Sequence, residues 1–171
     1  MFNNAAISFN NCRYIFYISS EEEYERAELI SVKYSLEQYE IRPLFDGHNI
    51  GFFERNVFLT EEDIKTQNLS RREVFAHQTI NTNYFGRLTV TSDGNIYANI
   101  NMKPLGKVGD NLADLIEKEF TEGESWFRTR DVLDKCCKCL YRYLCPSPSD
   151  YELKIGQSNL CVLNTKEIEL S

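Results

Sequence analysis

Positive charge is scarce in this chain, which carries 19 lysines and arginines against 26 aspartates and glutamates. The net charge of −7 and the lack of any basic run argue against non-specific binding to nucleic acid or anionic membranes. Long hydrophobic runs are also missing: Tyr14–Ile18 is far shorter than the ~20 apolar residues of a membrane-spanning helix. The first residues lack the cationic segment of a secretory signal, so we expect a cytoplasmic protein.

Histidine is nearly absent as well, since the chain has only His48 and His77. His48 follows turn residues and His77 falls late in an expected helix, so we expect surface or capping roles for both. Glycine-rich phosphate loops and Gly-x-Ser-x-Gly elbows do not occur, which removes two common enzyme signatures. The acidic runs at residues 21–23 and 61–63 suit helix N-termini better than acid–base catalysis.

The first 80 residues alternate between strand-like and helix-like patterns. β-Branched and aromatic residues predict buried strands over residues 12–18 and 40–45. Between them, Ser20 and the glutamates after it predict the start of a helix that reaches about Gln38. A strand, a helix and a strand predict a βαβ unit with parallel strands, and therefore α/β structure at this end. Residues 51–58 are expected to be extended.

The second part, from residue 81, has a different pattern. Asp93 and Gly94 lie between two alternating runs, which predicts a β-hairpin over residues 85–100. Asp110 is the expected N-cap of the helix that follows. Helical patterns with capping residues predict four short helices, at residues 61–67, 71–78, 112–120 and 124–133. We therefore expect two domains, residues 1–80 and 81–171, in a mixed α/β (α+β) fold.

Four of the six cysteines lie between residues 136 and 145, and only Cys12 is far from the rest. Such clustering favours metal binding over a secreted disulfide scaffold, whose cysteines are usually spread out. Cys136 and Cys139 have the spacing of a chelating knuckle, in which a tight turn directs two thiolates at one point. Cys145 and Cys161 can complete a four-sulfur site, which suits either Zn²⁺ or an iron–sulfur cluster.

Two cysteines fall outside this pattern. Cys137 lacks the knuckle spacing and is expected to be a bystander, while Cys12 lies in a strand-like run and is expected to be a small core residue. Tyr141 and Tyr143 flank the metal loop, where we expect them to shield the centre from water.

The cysteine spacing resembles that of the SPASM domain, the auxiliary-cluster module at the C-terminus of radical-SAM peptide maturases. A hairpin, a helix and a Trp-x3-Arg step precede the cysteines in the order that such a domain shows. The similarity covers about residues 85–163. The residues that carry it are Asp93-Gly94, Leu105-Gly106, Trp126, Arg130, Cys136, Cys139, Cys145 and Cys161.

SPASM domains usually hold two [4Fe–4S] clusters, and the resemblance implies that only one remains here. Asn99 and Ser149 occupy two ligand positions of the other cluster, and no cysteine occurs between Cys12 and Cys136 to supply the ligand before the hairpin. The cysteines of the second cluster are all present. The resemblance therefore implies one [4Fe–4S] cluster, with one Zn²⁺ as the alternative that the residues alone leave open.

The first 80 residues look like a remnant of the radical-SAM partial βα barrel. No Cys-x3-Cys-x2-Cys triad is present, so we expect neither S-adenosylmethionine binding nor adenosyl-radical formation. Phe52-Phe53-Glu54 and residues 144–152 look like segments of the pseudo-radical-SAM proteins of Bacteroidales peptide-maturation systems. This chain is similar to the C-terminal part of that family, shortened to two or three barrel units.

The resemblance implies a non-radical-generating accessory protein of ribosomal peptide maturation, without catalytic residues of its own. Its expected partners are a precursor peptide or a radical-SAM maturase, and an open barrel edge favours self-association. One alternative is a zinc-stabilised module with four cysteine ligands that binds a protein or peptide. Another is a cysteine-dependent enzyme, which requires a reactive thiol of low pKa.

Overall fold

The computed structural model describes residues 12–163, and within this range the fold is mixed α/β with six α-helices and two small sheets. The chain divides into two compact units, one that ends at Val57 and one that begins at Phe58. The elements in chain order are β1 (Tyr14–Ile18), α1 (Glu21–Lys33), β2 (Tyr39–Pro43), α2 (Ile50–Asn56), α3 (Glu61–Lys65), α4 (Arg71–Thr79), β3 (Thr89–Val90), β4 (Asn95–Tyr97), β5 (Gly106–Lys107), α5 (Leu112–Glu122) and α6 (Asp150–Ile155).

The first unit contains the predicted βαβ arrangement. β1 and β2 pair in parallel, with Tyr14 opposite Tyr39. The connecting helix α1 begins after Ser20, whose hydroxyl oxygen accepts a hydrogen bond from the Glu23 amide. Glutamates in the first turn complement the positive end of the helix dipole. The prediction of two parallel strands joined by a helix is confirmed, although α1 ends at Lys33 rather than near Gln38.

The expectation of an extended segment over residues 51–58 is wrong, because Ile50–Asn56 forms helix α2. Phe52 and Phe53 are both buried, and their rings meet edge to face with centroids 6.0 Å apart. Phe53 also packs edge to face against Phe45 at 5.4 Å. A short apolar run has the same composition in a buried strand and in a buried helix, so its pattern alone does not distinguish the two. Here the ring contacts of Phe53 favour the helix.

In the second unit, α3 and α4 confirm the two short helices predicted by their capping residues. Thr60 accepts from the Asp63 amide while the Asp63 carboxylate accepts from the Thr60 amide. Ser70 and Glu73 make the same reciprocal pair at the start of α4. Each pair satisfies backbone N–H groups that a helix start otherwise leaves without partners.

The predicted hairpin is confirmed, with β3 and β4 antiparallel and Thr89 opposite Tyr97. Gly94 has a φ of +81°, a left-handed conformation that glycine adopts without the usual steric cost. β5 adds a third antiparallel strand against β4, which the sequence did not predict. The next helix, α5, is capped by Asn111 instead of Asp110.

A helix over residues 124–133 does not form, and only a 3₁₀ turn at Arg130–Val132 is present there. The Glu119 carboxylate accepts hydrogen bonds from the Ser125 and Trp126 amides at 3.0 and 2.9 Å, which ties the start of this stretch to α5. Trp126 is buried among aromatic rings. Its neighbours in this cluster are Phe85 and Phe120.

Helix α6 was also not predicted. It begins with a reciprocal pair between Ser149 and Glu152, directly after Pro148. No helix in the described part of the chain is long and apolar enough to cross a membrane.

The packing of α2 makes a quantitative prediction. Replacing Phe53, which is fully buried, with alanine should lower the free energy of unfolding of the first unit by about 3–5 kcal/mol, because it leaves a cavity. Leu29→Ala is the control in the same unit, since Leu29 is 71% exposed, and it should change stability by less than about 0.5 kcal/mol. Urea unfolding followed by far-ultraviolet circular dichroism measures both, and equal losses would contradict the packing described.

Candidate metal centre

The four predicted ligand cysteines line one small cavity in the second unit. The cavity has a volume of about 20 Å³, which is room for one water-sized occupant. Its wall contains Cys136, Cys139, Cys145 and Cys161 together. The structure therefore brings these four thiols to one place, although Cys161 is distant in sequence from the other three.

A tight turn presents the first two thiols. The amides of Cys136 and Cys137 both donate to the Leu133 carbonyl, at 2.8 and 2.9 Å. The Cys139 amide then donates to the Cys136 carbonyl at 2.9 Å, which closes the turn expected of a two-residue knuckle. Cys136 and Cys139 are both buried. Cys137 is half-buried, does not line the cavity and contacts the Asp134 carbonyl, as expected of a bystander.

Backbone hydrogen bonds also position the other two thiols. The Cys145 amide donates to the Tyr141 carbonyl at 3.0 Å. Cys161 forms a parallel β-bridge with Leu59, in which the Leu59 amide donates to the Leu160 carbonyl at 2.9 Å and the Leu59 carbonyl accepts from Val162 at 3.1 Å. The segment just before α3 therefore holds the last cysteine against the wall of the cavity.

All six cysteines are free thiols. Among residues 12–163 no group of three or more histidine, cysteine, aspartate or glutamate side chains is arranged as a ligand set for a metal ion. Cys12 is exposed, so the expectation that it fills the core is wrong. Its position just before β1 leaves it outside the strand pattern from which that expectation came.

Positively charged side chains surround the thiols. Arg130, Lys135 and Arg142 line the cavity, and none of the described residues in its wall is acidic. The Arg130 guanidinium lies 3.9 Å from the Cys136 sulfur through Nη1. Arg130 also pairs with Glu152 and Arg142 pairs with Asp131, but neither carboxylate lines the cavity. Such a site favours an anionic occupant, and four thiolates around Zn²⁺ or a [4Fe–4S] cluster are anionic in sum.

Burial changes the proton affinity of two of the thiols. It raises the pKa of Cys136, and it raises the pKa of Cys145 to about 12. The Arg130 guanidinium acts in the opposite direction on both thiols but does not outweigh burial. A thiol of raised pKa is a poor nucleophile at neutral pH, so neither residue has the property that a cysteine-dependent enzyme requires.

Asn159 is a polar residue of the cavity wall that the sequence did not reveal. It is buried, and its Nδ2 donates to the Cys161 sulfur at 3.1 Å and to the Cys161 carbonyl at 3.2 Å. Its Oδ1 is buried without a hydrogen-bond partner among the described atoms. An amide that donates to sulfur stabilises negative charge there, which is a common way to tune thiolate-bound metals.

The two tyrosines near the loop do not line the cavity, so leucines rather than tyrosines provide its apolar wall. The Tyr141 hydroxyl donates to Glu61 at 2.6 Å, and the Tyr143 hydroxyl donates to Asp131 at 3.1 Å. Both side chains instead tie the cysteine loop to other parts of the unit. The leucines in the wall are Leu59, Leu160 and Leu163.

Of the surface or capping roles expected for His77, the surface role is wrong because the side chain is buried, while its place in the last turn of α4 is as expected. Its Nδ1 is 3.0 Å from the Tyr143 carbonyl, which lies in the cysteine loop. His77 does not line the cavity, so it acts as a support for the loop. Periodicity could not show this, because the partner is a backbone carbonyl far along the chain.

Asn99 and Ser149, the two positions that the resemblance assigns to a lost cluster, are engaged in protein contacts. The Asn99 amide donates to the Asp150 carboxylate at 2.8 Å. Ser149 caps α6 and bonds to Glu152. Both side chains therefore make hydrogen bonds to other protein groups at the positions where the resemblance would require cysteine ligands.

No protein-family model, curated protein or solved structure matches this chain.

Thiol accessibility is testable on the reduced, metal-free chain. Iodoacetamide at neutral pH should label Cys12 first and Cys136 and Cys145 last, because burial limits access and keeps these two thiols protonated. Mass spectrometry of timed samples gives the order, and labelling in denaturant is the control in which all six react alike. Cys136 reacting as fast as Cys12 would contradict the structure, and rapid labelling of Cys137 alone would favour the cysteine-dependent enzyme.

Proposed function

We propose that this chain is an accessory protein of ribosomal peptide maturation that binds one [4Fe–4S] cluster through Cys136, Cys139, Cys145 and Cys161. The observation that supports the cluster proposal is that these four thiols line one cavity, although within residues 12–163 no three of them are arranged as a ligand set. Four sulfur donors suit soft metal centres and exclude the hard cations Mg²⁺ and Ca²⁺.

The chain's own residues supply three things to such a centre. Backbone turns hold the thiols in place, and leucines keep water away from them. Arg130 and Arg142 supply positive charge. A bound cluster would give the protein either a folding constraint or an electron relay, and ligation by four cysteines leaves no iron open to a substrate.

The assignment to peptide maturation comes from the resemblance to the SPASM domain and to pseudo-radical-SAM proteins. The parallel βαβ arrangement of the first unit, and the hairpin that precedes the cysteines, support it. We interpret residues 1–80 as a remnant of the βα barrel. Because the sequence contains no Cys-x3-Cys-x2-Cys triad, we propose that the chain acts beside a radical enzyme.

Zinc is the second candidate occupant, and the size of the cavity favours it. A volume of about 20 Å³ accommodates one ion, whereas a four-iron cluster requires the cysteine loop to move outward. In that case the protein is a zinc-stabilised module that binds a protein or peptide. The two candidates share the same four ligands and differ in colour, iron content and sulfide content.

Anaerobic purification decides between the two occupants. Purified or reconstituted with iron and sulfide, the chain should be brown, contain about four irons and four sulfides, and show the absorption of a [4Fe–4S] cluster. Cys136→Ser and Cys139→Ser should each lose most of the cluster, while the matched control Cys137→Ser retains it, because Cys137 does not line the cavity. A colourless protein with one zinc would establish the alternative, and a wild-type chain that binds neither would refute the metal centre.

Exposed apolar residues support the proposed binding of a partner or a second copy. Leu29 and Val32, one helical turn apart on α1, are both largely exposed, and the sheet beside them in the first unit has two strands in the described residues. We expect association that increases with concentration in analytical ultracentrifugation. The double variant Leu29→Glu and Val32→Glu should weaken it, and a stable monomer for the wild-type chain at all concentrations would contradict it.

A further inference from the structure

A buried ion pair lies beside the sulfur site. The Arg130 Nη1 and the Glu152 Oε1 are 2.8 Å apart, and the two side chains are only 7% and 0% exposed. Charges this deeply buried interact strongly because little water screens them. They also require a full set of partners, since an unpaired buried charge is strongly destabilising.

Arg130 makes three different contacts. Besides Glu152, its Nε donates to the Pro146 carbonyl at 2.9 Å, and its Nη1 is within 3.9 Å of the Cys136 sulfur. A guanidinium has donors in a fixed planar fork, so contacts to two of these groups determine where its remaining N–H groups point. The position of the charge relative to sulfur is therefore fixed by the fold.

Glu152 is itself held in place. Its Oε2 accepts hydrogen bonds from the Ser149 amide at 2.8 Å and from the Ser149 hydroxyl at 2.5 Å, at the start of α6. The other oxygen, Oε1, faces Arg130 in an ion pair and has no hydrogen-bond partner among the described atoms. A helix start thus anchors the carboxylate, and the carboxylate anchors the guanidinium.

The other cations of the cavity are held less firmly. Lys135 is exposed, and the Arg142 side chain is 22% exposed and paired with Asp131. Solvent screens both charges more than it screens Arg130. A buried ion pair also adds little net stability by itself. If Arg130 served only to stabilise the fold through its ion pair with Glu152, its contact with the Cys136 sulfur would have no explanation.

We propose that Arg130 is the fixed counter-charge of the four-sulfur centre, and that Glu152 is the positioning residue that holds it against Cys136. This inference rests on the proposed metal centre and deepens it. A guanidinium N–H directed at a metal-bound thiolate stabilises the negative charge on that sulfur. It therefore raises the affinity of the site for its metal and lowers the energy of the lone-pair electrons on the sulfur. It would also make a bound cluster easier to reduce.

Cobalt provides a direct test, because Co²⁺ bound to thiolates is coloured and replaces zinc in four-sulfur sites. The full reduced chain, freed of metal, is titrated with Co²⁺ while the thiolate-to-cobalt charge-transfer band is recorded. Arg130→Met should weaken binding by about 10–100-fold, the usual effect of losing an outer-sphere partner of a ligand. It should also shift the band to lower energy, since the sulfur loses a hydrogen-bond donor.

Arg128→Met is the matched control. Arg128 is a half-buried arginine in the same segment, and its Nη1 contacts the Ser149 carbonyl at 3.4 Å without touching a sulfur. It should leave both the cobalt affinity and the band position close to those of the wild type. Glu152→Gln keeps the guanidinium but removes the negative charge that holds it, so the band should move away from its wild-type position, and an unmoved band would overturn the positioning role of Glu152.

The outcomes separate this inference from the metal centre itself. A wild-type chain that shows no thiolate–cobalt band refutes the proposed centre. A wild-type chain that binds Co²⁺ while folded Arg130→Met binds it equally well, with an unmoved band, overturns only the role of Arg130. Equal losses in Arg128→Met and Arg130→Met overturn it too. If Arg130→Met does not fold, Arg130→Gln decides, because glutamine keeps a polar N–H side chain but removes the positive charge: unchanged affinity and band position would overturn the inference.

Discussion

The enclosure of four thiols, two of them buried, next to a guanidinium is the constraint on which the second unit depends. Burial makes Cys136 and Cys145 resist ionisation, yet soft metals bind thiols only as anions. The unit meets these opposing demands by placing positive charge in the wall, from Arg130 at the inside and from Arg142 nearer the surface. Turn hydrogen bonds, a buried histidine and a capped helix all serve to keep that wall in position.

The turn that presents Cys136 and Cys139 could be predicted from the sequence because the two residues are close neighbours, and local spacing determines local turn geometry. The βαβ unit, the capped helices and the Asp-Gly hairpin were predictable for the same reason. The residues that support the cysteine site could not be predicted. Asn159, His77 and Glu152 act through contacts with loops that are distant or irregular, and no periodic pattern marks such residues.

Two errors in the predicted helices and strands have a shared cause. Residues 51–58 carry an apolar run that fits either structure, and the ring contacts of Phe53 selected the helix. Residues 124–133 have an acceptable helical composition, but the stretch is held in irregular backbone by the bonds of its first amides to Glu119 and by the packing of buried Trp126 among aromatic rings. In both places a tertiary contact outweighed a weak local preference.

The bridge between Leu59 and Cys161 joins the beginning of the second unit to its last described segment. During synthesis, the cavity wall is incomplete until Cys161 has left the ribosome and found a partner made much earlier. Contacts between such distant segments form late, because the intervening chain must first be ordered. A cavity lined by all four thiols therefore forms only after Cys161 has been made, and until then Cys136, Cys139 and Cys145 lack the segment that closes the wall beside them.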